Sequence, residues 1–246
     1  MAKRPTGLLA AVTGKDVSID SAEHYDNWSE SYDHDLITEY GYCAPRIAAD
    51  AFALEMVDRD AAVIDIGCGT GLVGTELARH GFETIDGVDI SGGMLARAEA
   101  TGIYRSLILQ DAEGDSVIAK GNYDGVISVG TFGIGQLSKA GAPLLVAMVK
   151  PGGLVVIFMN AEPYLLDDYE PYLKAMEADG IWSIERIEDH NYMDALDRPG
   201  KLIIAHRCHW RAKARRQAPV PPLTSTTPSV PQRRRDGQTS GASGGA

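Results

Sequence analysis

From about residue 45 to residue 180, short apolar runs alternate with stretches whose apolar positions recur every three or four residues. The runs AAVIDIG (61–67), TIDGVDI (84–90), SLILQDA (106–112), YDGVISVG (123–130) and GLVVIFMN (153–160) are seven or eight residues long. Their β-branched, near-continuous apolar character predicts strands buried on both faces. Between them, LVGTELARHG stops at Gly81 and GGMLARAEATG at Gly102. PLLVAMVKPGG begins on Pro143 and stops at a Lys-Pro-Gly-Gly turn, and PYLKAMEADG begins on Pro171 and closes at Gly180. Prolines at the start and glycines just past the end mark these stretches as helices. Strands alternating with helices build βαβ units around a parallel sheet. The pattern then changes. WSIERIEDH (182–190) and KLIIAHRCHW (201–210) are joined by the turn DALDRPG with no helix between them. That reads as an antiparallel pair with the last strand inserted beside its neighbours. The expected fold is α/β, a doubly wound seven-stranded sheet, mostly parallel with an antiparallel last strand, and helices on both faces.

Composition adds limits. The 246 residues are 44% hydrophobic, enough for one α/β domain plus tails. No apolar run approaches the roughly 18 residues that span a bilayer. The apolar patch Leu8–Val12 is shorter than a secretory h-region of about 7–15 residues. Cys43, Cys68 and Cys208 form no C-x-x-C pair, which fits a reducing cytoplasm. In HRCHW a strand would place His206 and Cys208 on one face and His209 on the other, a poor metal set. The net charge of −11 is uneven: residues 211–246 carry seven Lys/Arg against Asp236, which leaves −17 on the rest. Such an acidic body repels phosphate backbones and argues against a duplex-binding surface. The Pro/Ser/Thr/Gly/Arg composition of the end predicts a disordered basic tail over 212–246. The expected organisation is a flexible segment 1–20, a domain 21–211 with a helical cap over 21–58, then that tail.

The chemistry gathers at one corner. Gly67, Gly69, Gly71 and Gly74 follow a strand and open a helix, where open α/β sheets bind ligands. The bare backbone admits a ligand, and the helix start offers free N–H groups. Asp89 ends the next strand, twenty residues after Gly69, placed to accept from both hydroxyls of a ribose. A nicotinamide enzyme would use Asp89 in the same way. Asp65, just before the glycines, discriminates, because dinucleotide fingerprints usually carry an apolar residue there. Ahead of the domain, HYDNWSESYDHDL sets Tyr25, Trp28 and Tyr32 on one helical face. That face either docks on the core or covers the ligand.

VIDIGCGTG, GVDIS followed by ML, LQDA and VKPGGLVV stand in the order and spacing of the class I S-adenosylmethionine-dependent methyltransferases, and residues 22–210 resemble that family. The resemblance implies a Rossmann-like sheet, S-adenosylmethionine as cofactor and S-adenosylhomocysteine as product. Gly67, Cys68 and Gly69 would line the methionine moiety, the Gly67 carbonyl taking its ammonium with Asp65 behind. Asp89 would hold the ribose, Ile90 and Met94 would flank the adenine, and Asp111 with the Ala112 N–H would read its edge. Val129 would offer backbone behind the methionine chain. Tyr25, Trp28 and Tyr32 would cover the cofactor as a lid spanning residues 15–35, ordered on binding. Plainer roles stand beside these: Cys68 as merely a small residue, Asp111 as the cap of its own turn.

Methyl transfer from a sulfonium needs alignment and desolvation more than a catalytic triad. GTFGIGQL after the fourth strand lacks the Asn-Pro-Pro-aromatic signature of nucleobase and amide N-methylation, which leaves an O, N or S atom of a small molecule as acceptor. Phe132, Asn160, Tyr164 and Tyr192 follow strand ends and are candidates for its pocket, with His190 as a candidate base. No specific nucleic acid and no membrane are expected as partners, and the chain is expected to be a monomer or weak dimer in the cytoplasm. Two other readings remain open: a protein that binds S-adenosylmethionine without turnover, as a sensor or assembly factor, and a nicotinamide-dependent reductase.

Overall fold

The computed structural model describes residues 21–114, 118–132 and 137–209. The expected N-terminal segment 1–20 and basic tail 212–246 lie outside the described residues. Seven strands form one sheet: β1 (Val63–Ile66), β2 (Ile85–Asp89), β3 (Ser106–Leu109), β4 (Tyr123–Val129), β5 (Val149–Asn160), β6 (Trp182–Asn191) and β7 (Pro199–Arg207). Their order is β3-β2-β1-β4-β5-β7-β6, and only β7 runs antiparallel to its neighbours. The doubly wound fold with its inserted last strand is therefore present. Because the chain leaves β1 in one direction for β2 and β3 and returns to the other side for β4, a crevice opens at the carboxyl ends of β1 and β4.

The helices are α1 (Ser21–Trp28), α2 (Ala44–Glu55), α3 (Leu72–Arg79), α4 (Gly92–Ala100), α5 (Gly141–Met148), α6 (Ala161–Leu166) and α7 (Tyr169–Ala178), with a π-helix over His34–Glu39. They cover both sheet faces, which explains the lack of polar alternation in β1, β4 and β5. One core gathers Phe52, Leu77, Phe82, Ile127, Phe158 and Leu202. The opposite core gathers Ile64, Val126, Leu145, Val155, Leu173 and Trp182. Asp86 is buried in β2, where it accepts from Arg105 Nε at 2.9 Å and from the Tyr123 hydroxyl at 2.8 Å. A buried carboxylate tied by charged and neutral donors stitches β2 to the start of β4.

Three details depart from the sequence reading. β5 begins at Val149, not Gly153; its pairing jumps from Tyr123–Val149 to Gly125–Leu154, so Lys150–Gly153 bulge out of the ladder. β3 ends at Leu109, which leaves Asp111 in a turn beyond it. The aromatic cap is not one helix: α1 ends at Trp28, and a turn over 29–31 precedes the next helical segment. Among the described residues no helix is long and apolar enough to cross a membrane.

Gly125 in β4 marks the tightest packing between α2 and the sheet. A Cβ there would lie 2.4 Å from Cζ at the tip of the fully buried Phe52 ring. Gly125→Ala therefore lowers stability by about 1–3 kcal/mol in denaturant unfolding, although alanine is the better strand residue. An unchanged or raised midpoint would show that Phe52 yields without cost.

Candidate functional site

The carboxyl end of β1 runs into a turn held by two amides, Gly67 N–H and Cys68 N–H, which both donate to Val88 O at 2.8 and 3.0 Å. Gly67 has φ +71°, and a Cβ on it would meet Thr131 Cγ2 at 1.8 Å, so no other residue fits. Gly69, at φ +53°, has nothing within 4 Å of where its Cβ would stand. Its bare side opens on a cavity of about 440 Å³.

That cavity is walled by the ends of four strands and by the N-terminal cap. β1 and its turn contribute Ile66, Gly67 and Gly69; β2 and the residue after it contribute Val88, Asp89 and Ile90. Met94 comes from α4, Gln110 to Glu113 from the turn after β3, and Val129 to Thr131 from the end of β4. Ala22, Tyr25, Tyr32 and Leu137 complete it. The volume falls within the range of about 300–1,000 Å³ usual for small-molecule sites.

Asp89 is the fixed charge of this cavity. Its Oδ2 accepts from Gly69 N–H at 2.9 Å and its Oδ1 from Ser91 N–H at 2.9 Å. Burial raises its pKa and these amides oppose the rise. Both oxygens are thus oriented while each retains accepting capacity, the arrangement a vicinal diol requires. Asp111 Oδ1 accepts from Glu113 N–H at 2.9 Å, so the carboxylate caps its own turn while lining the cavity. Glu113 in turn accepts from Ser138 N–H at 2.6 Å.

The cap closes the outer side. Tyr25, Trp28 and Tyr32 form one ring cluster, with Trp28 and Tyr32 centroids 4.6 Å apart. Burial, then the neighbouring phenols Tyr42 and Tyr25, raise the Tyr32 pKa well above its ordinary value, so it is a neutral donor. Two carboxylates dock the cap onto the domain. Asp26 accepts from Ser91 Oγ and from Gly93 N–H (2.8 Å), at the N-terminus of α4, and Asp33 accepts from Thr70 Oγ1 at 2.5 Å.

Of the thirteen residues the sequence nominated for the cofactor, Trp28, Asp65 and Cys68 do not line the cavity. Trp28 is buried beneath the tyrosines, its indole N–H on Asp35 Oδ2 at 2.8 Å. Cys68 turns into the protein, and burial raises its thiol so far that it stays protonated. Asp65 is fully buried behind the turn, where it accepts from the Tyr104 hydroxyl at 2.7 Å. The start of α3 is not free either, because Gly74 N–H donates to Tyr104 Oη at 3.2 Å. None of the acceptor-pocket candidates lines the cavity. Phe132 and Tyr164 pack around Tyr169, Tyr192 packs on Tyr42 and Phe158, and Asn160 ends β5 as the N-cap of α6. His190 sits on β6 paired with Glu188 at 3.1 Å. Sequence reasoning missed Thr131, Gly130, Gln110 and Glu113. The glycine at 130 with its small neighbour was the available signal for the first two.

Away from the cavity, Glu55, Glu185 and His206 each place one potential ligand atom within 4.8 Å of the others. Arg186 already pairs with Glu55 at 2.8 Å and with Glu188 at 2.7 Å, so the group is an ion-pair network. Cys208 lies past the end of β7, with its N–H on Ile181 O.

Sheet order, glycine turn and anchored carboxylate define a Rossmann-like α/β protein with a nucleoside-sized cavity at its switch point. Residues 63–153 match the family described as a methyltransferase domain. Methyltransferase-like protein 27 from Homo sapiens is 37% identical over 164 residues, 64% of this chain and 66% of that protein. The 18S rRNA (guanine(1575)-N(7))-methyltransferase of Saccharomyces cerevisiae is 30% identical over 107 residues, 44% of this chain and 39% of that protein. The chain thus spans just under two thirds of the first relative and about two fifths of the second. Among solved structures, the complex of the Haloferax volcanii Trm112 methyltransferase activator with a putative methyltransferase aligns with TM-score 0.59 at 16% identity, covering 75% of this chain and 98% of that one. Over these residues the chain is similar to the class I S-adenosylmethionine-dependent methyltransferases. The residues present suit that family's cofactor: Gly69 leaves an open cradle beside an Asp89 whose two oxygens are already aligned, and a buried, unpartnered Asp65 oxygen suits a cation.

Two outcomes follow. Burial lifts the Asp65 pKa from near 3.8 to about 7. A raised folded-state value favours the fold fully below the unfolded pKa, and that contribution is lost as pH rises to about 7. Wild-type protein without ligand should therefore lose on the order of 2–4 kcal/mol between about pH 4 and 7 through this group, a loss absent from Asp65→Asn. Parallel denaturation curves for the two across that range would remove Asp65 as the source. Separately, Asp26→Asn takes the charge from the α4 contact, and hydrogen exchange over residues 21–28 should accelerate while that of β1 and β4 does not.

Proposed function

We propose that this chain transfers a methyl group from S-adenosylmethionine to an O, N or S atom of a small molecule by in-line displacement. The observation that carries this reading is the Asp89 carboxylate, held by the Gly69 and Ser91 amides at the mouth of the glycine turn. When bound, the cofactor supplies an electrophilic methyl on a sulfonium. The protein's own work is binding, alignment and exclusion of water. Asp89 would accept from the ribose hydroxyls, with Ile90 and Met94 flanking the base and Asp111 and Ala112 at its edge. Gly67, Gly69 and Val129 would give the methionine chain a backbone bed. Tyr25 and Tyr32 would shield the outer side, with the neutral Tyr32 phenol as a donor to the cofactor's carboxylate. Among the described residues no histidine lines the cavity, so alignment rather than a positioned base would carry the rate.

Two features favour a small acceptor: the cap narrows access to the cavity, and residues 1–210 carry a net charge of −17. An acidic surface of this size opposes association with a phosphate backbone. The yeast relative's name specifies an rRNA guanine, which makes RNA the competing acceptor class. Labelled S-adenosylmethionine offered to a small-molecule panel and to total RNA separates the two, and label in RNA alone would overturn the small-acceptor reading.

Asp89→Ala should weaken S-adenosylhomocysteine binding by about 2–4 kcal/mol in calorimetry, since charged hydrogen bonds contribute roughly 1.5–3 kcal/mol each and share one carboxylate. The melting temperature should hold. Micromolar affinity of the wild type for NAD, with no heat from S-adenosylmethionine, would instead place the chain among nicotinamide enzymes.

A further inference from the structure

The glycine corner is bare on two sides. Gly67 and Gly69 face Thr131 and the cavity, but Gly71, Gly74 and Gly87 all border the Tyr104 ring, Gly74 alone and the others together with Ala98 and Thr101 or with Leu107 and Cys68. A Cβ on Gly74 would stand 2.5 Å from the Tyr104 hydroxyl, one on Gly87 2.9 Å from Cδ1, and one on Gly71 3.2 Å from Cε2. The phenol that fills this slot has a defined polarity. Its oxygen accepts from Gly74 N–H, so its proton is directed to Asp65 Oδ2 at 2.7 Å. The other Asp65 oxygen is buried with no hydrogen-bond partner among the described residues. The charged and titratable groups that face Asp65 are Tyr104, Asp89 and Cys68, none of them a cation. Burial holds Tyr104 and Cys68 in their neutral forms. A buried carboxylate with one donor and no cation is costly to keep, and an apolar residue would serve packing better. Its charge has a use if a cation arrives in front of it.

We propose that Tyr104 is a positioning residue for cofactor capture: seated against Gly71, Gly74 and Gly87, its hydroxyl keeps the Asp65 carboxylate charged and fixed behind the Gly67–Gly69 turn, where it attracts the cofactor's ammonium. The inference rests on the cofactor reading above. The electrostatics run one way. Burial drives Asp65 towards the protonated form and the Tyr104 hydrogen bond opposes it. Asp65 must be ionised to draw a cation, so cofactor affinity should fall as pH drops through the region where Asp65 takes its proton. Removing the Tyr104 hydroxyl moves that limb to higher pH.

The test is calorimetric titration of the full chain with S-adenosylhomocysteine, which carries the ammonium but no sulfonium, from about pH 6 to about pH 8.5. Tyr104→Phe should bind about fivefold more weakly at about pH 7, the equivalent of one ordinary hydrogen bond, and within about twofold of wild type at the alkaline end. Gly74→Ala improves helix propensity but sets a Cβ 2.5 Å from both Cζ and the hydroxyl of Tyr104, so the phenol must shift off Asp65 and the variant should reproduce the same displaced limb. Asp65→Asn should bind weakly and without pH dependence. Equal weakening of Tyr104→Phe at every pH, or a limb that does not move in either variant, would make Tyr104 a packing residue and overturn the proposal. If Tyr104→Phe does not fold, Gly74→Ala decides alone by the same criterion. Wild-type protein that fails to bind S-adenosylhomocysteine at any pH would overturn the cofactor reading itself.

Discussion

At the carboxyl end of β1 the backbone turns through Gly67, where Thr131 leaves no room for a side chain, and the rest of the site is arranged around that turn. Thr131 presses on Gly67 from the β4 side, Val88 takes the Gly67 and Cys68 amides from the β2 side, and Gly69 gives its amide to Asp89. One turn therefore ties three adjacent strands together and orients the charge at the cavity mouth. Substituting Gly67 would disturb packing, strand register and the ligand bed together, because the same few atoms serve all three.

Around this turn the protein keeps two carboxylates in different surroundings. Asp89 faces the cavity with backbone donors on both oxygens, while Asp65 lies behind the turn with one phenol and one unpartnered oxygen. The first suits neutral hydroxyls and the second a cation. Neither has a lysine or arginine partner among the described residues, unlike Asp86, whose Arg105 makes it purely structural. The contrast within one sheet separates charge used for packing from charge left for a ligand.

The cap follows the same economy. Its aromatic cluster shields the cavity, yet it is docked largely by exposed carboxylates, Asp26 on the start of α4 and Asp33 on Thr70. Contacts of this kind are weaker than buried apolar packing and can break locally without unfolding the sheet. Trp28, hydrogen-bonded to Asp35, and Leu36 and Tyr40 are buried in the core and anchor the cap.

The strands themselves, the antiparallel last strand and the glycine corner were legible in the sequence, because burial on both faces, helix stops and glycine spacing are local patterns. Asp89, Asp111 and Met94 were legible for the same reason, each standing at a fixed step beyond a strand. The sequence did not show which way a side chain points once a turn has formed. Trp28 and Cys68 were nominated with their neighbours, but both side chains are buried in the core; Asp65 lies behind the turn as expected. Phe132, Tyr164 and Tyr192 follow strand ends as a pocket residue would, but aromatic packing on Tyr169 and Phe158 claims them. Tyr104 carries no signal at all, since its partners Asp65, Gly74 and Gly87 lie 39, 30 and 17 residues away. The sequence determined the elements and the corner where chemistry gathers, through periodicities that neighbouring residues share. Only the tertiary structure decided which of those residues face the cavity, because that depends on contacts between strands distant along the chain.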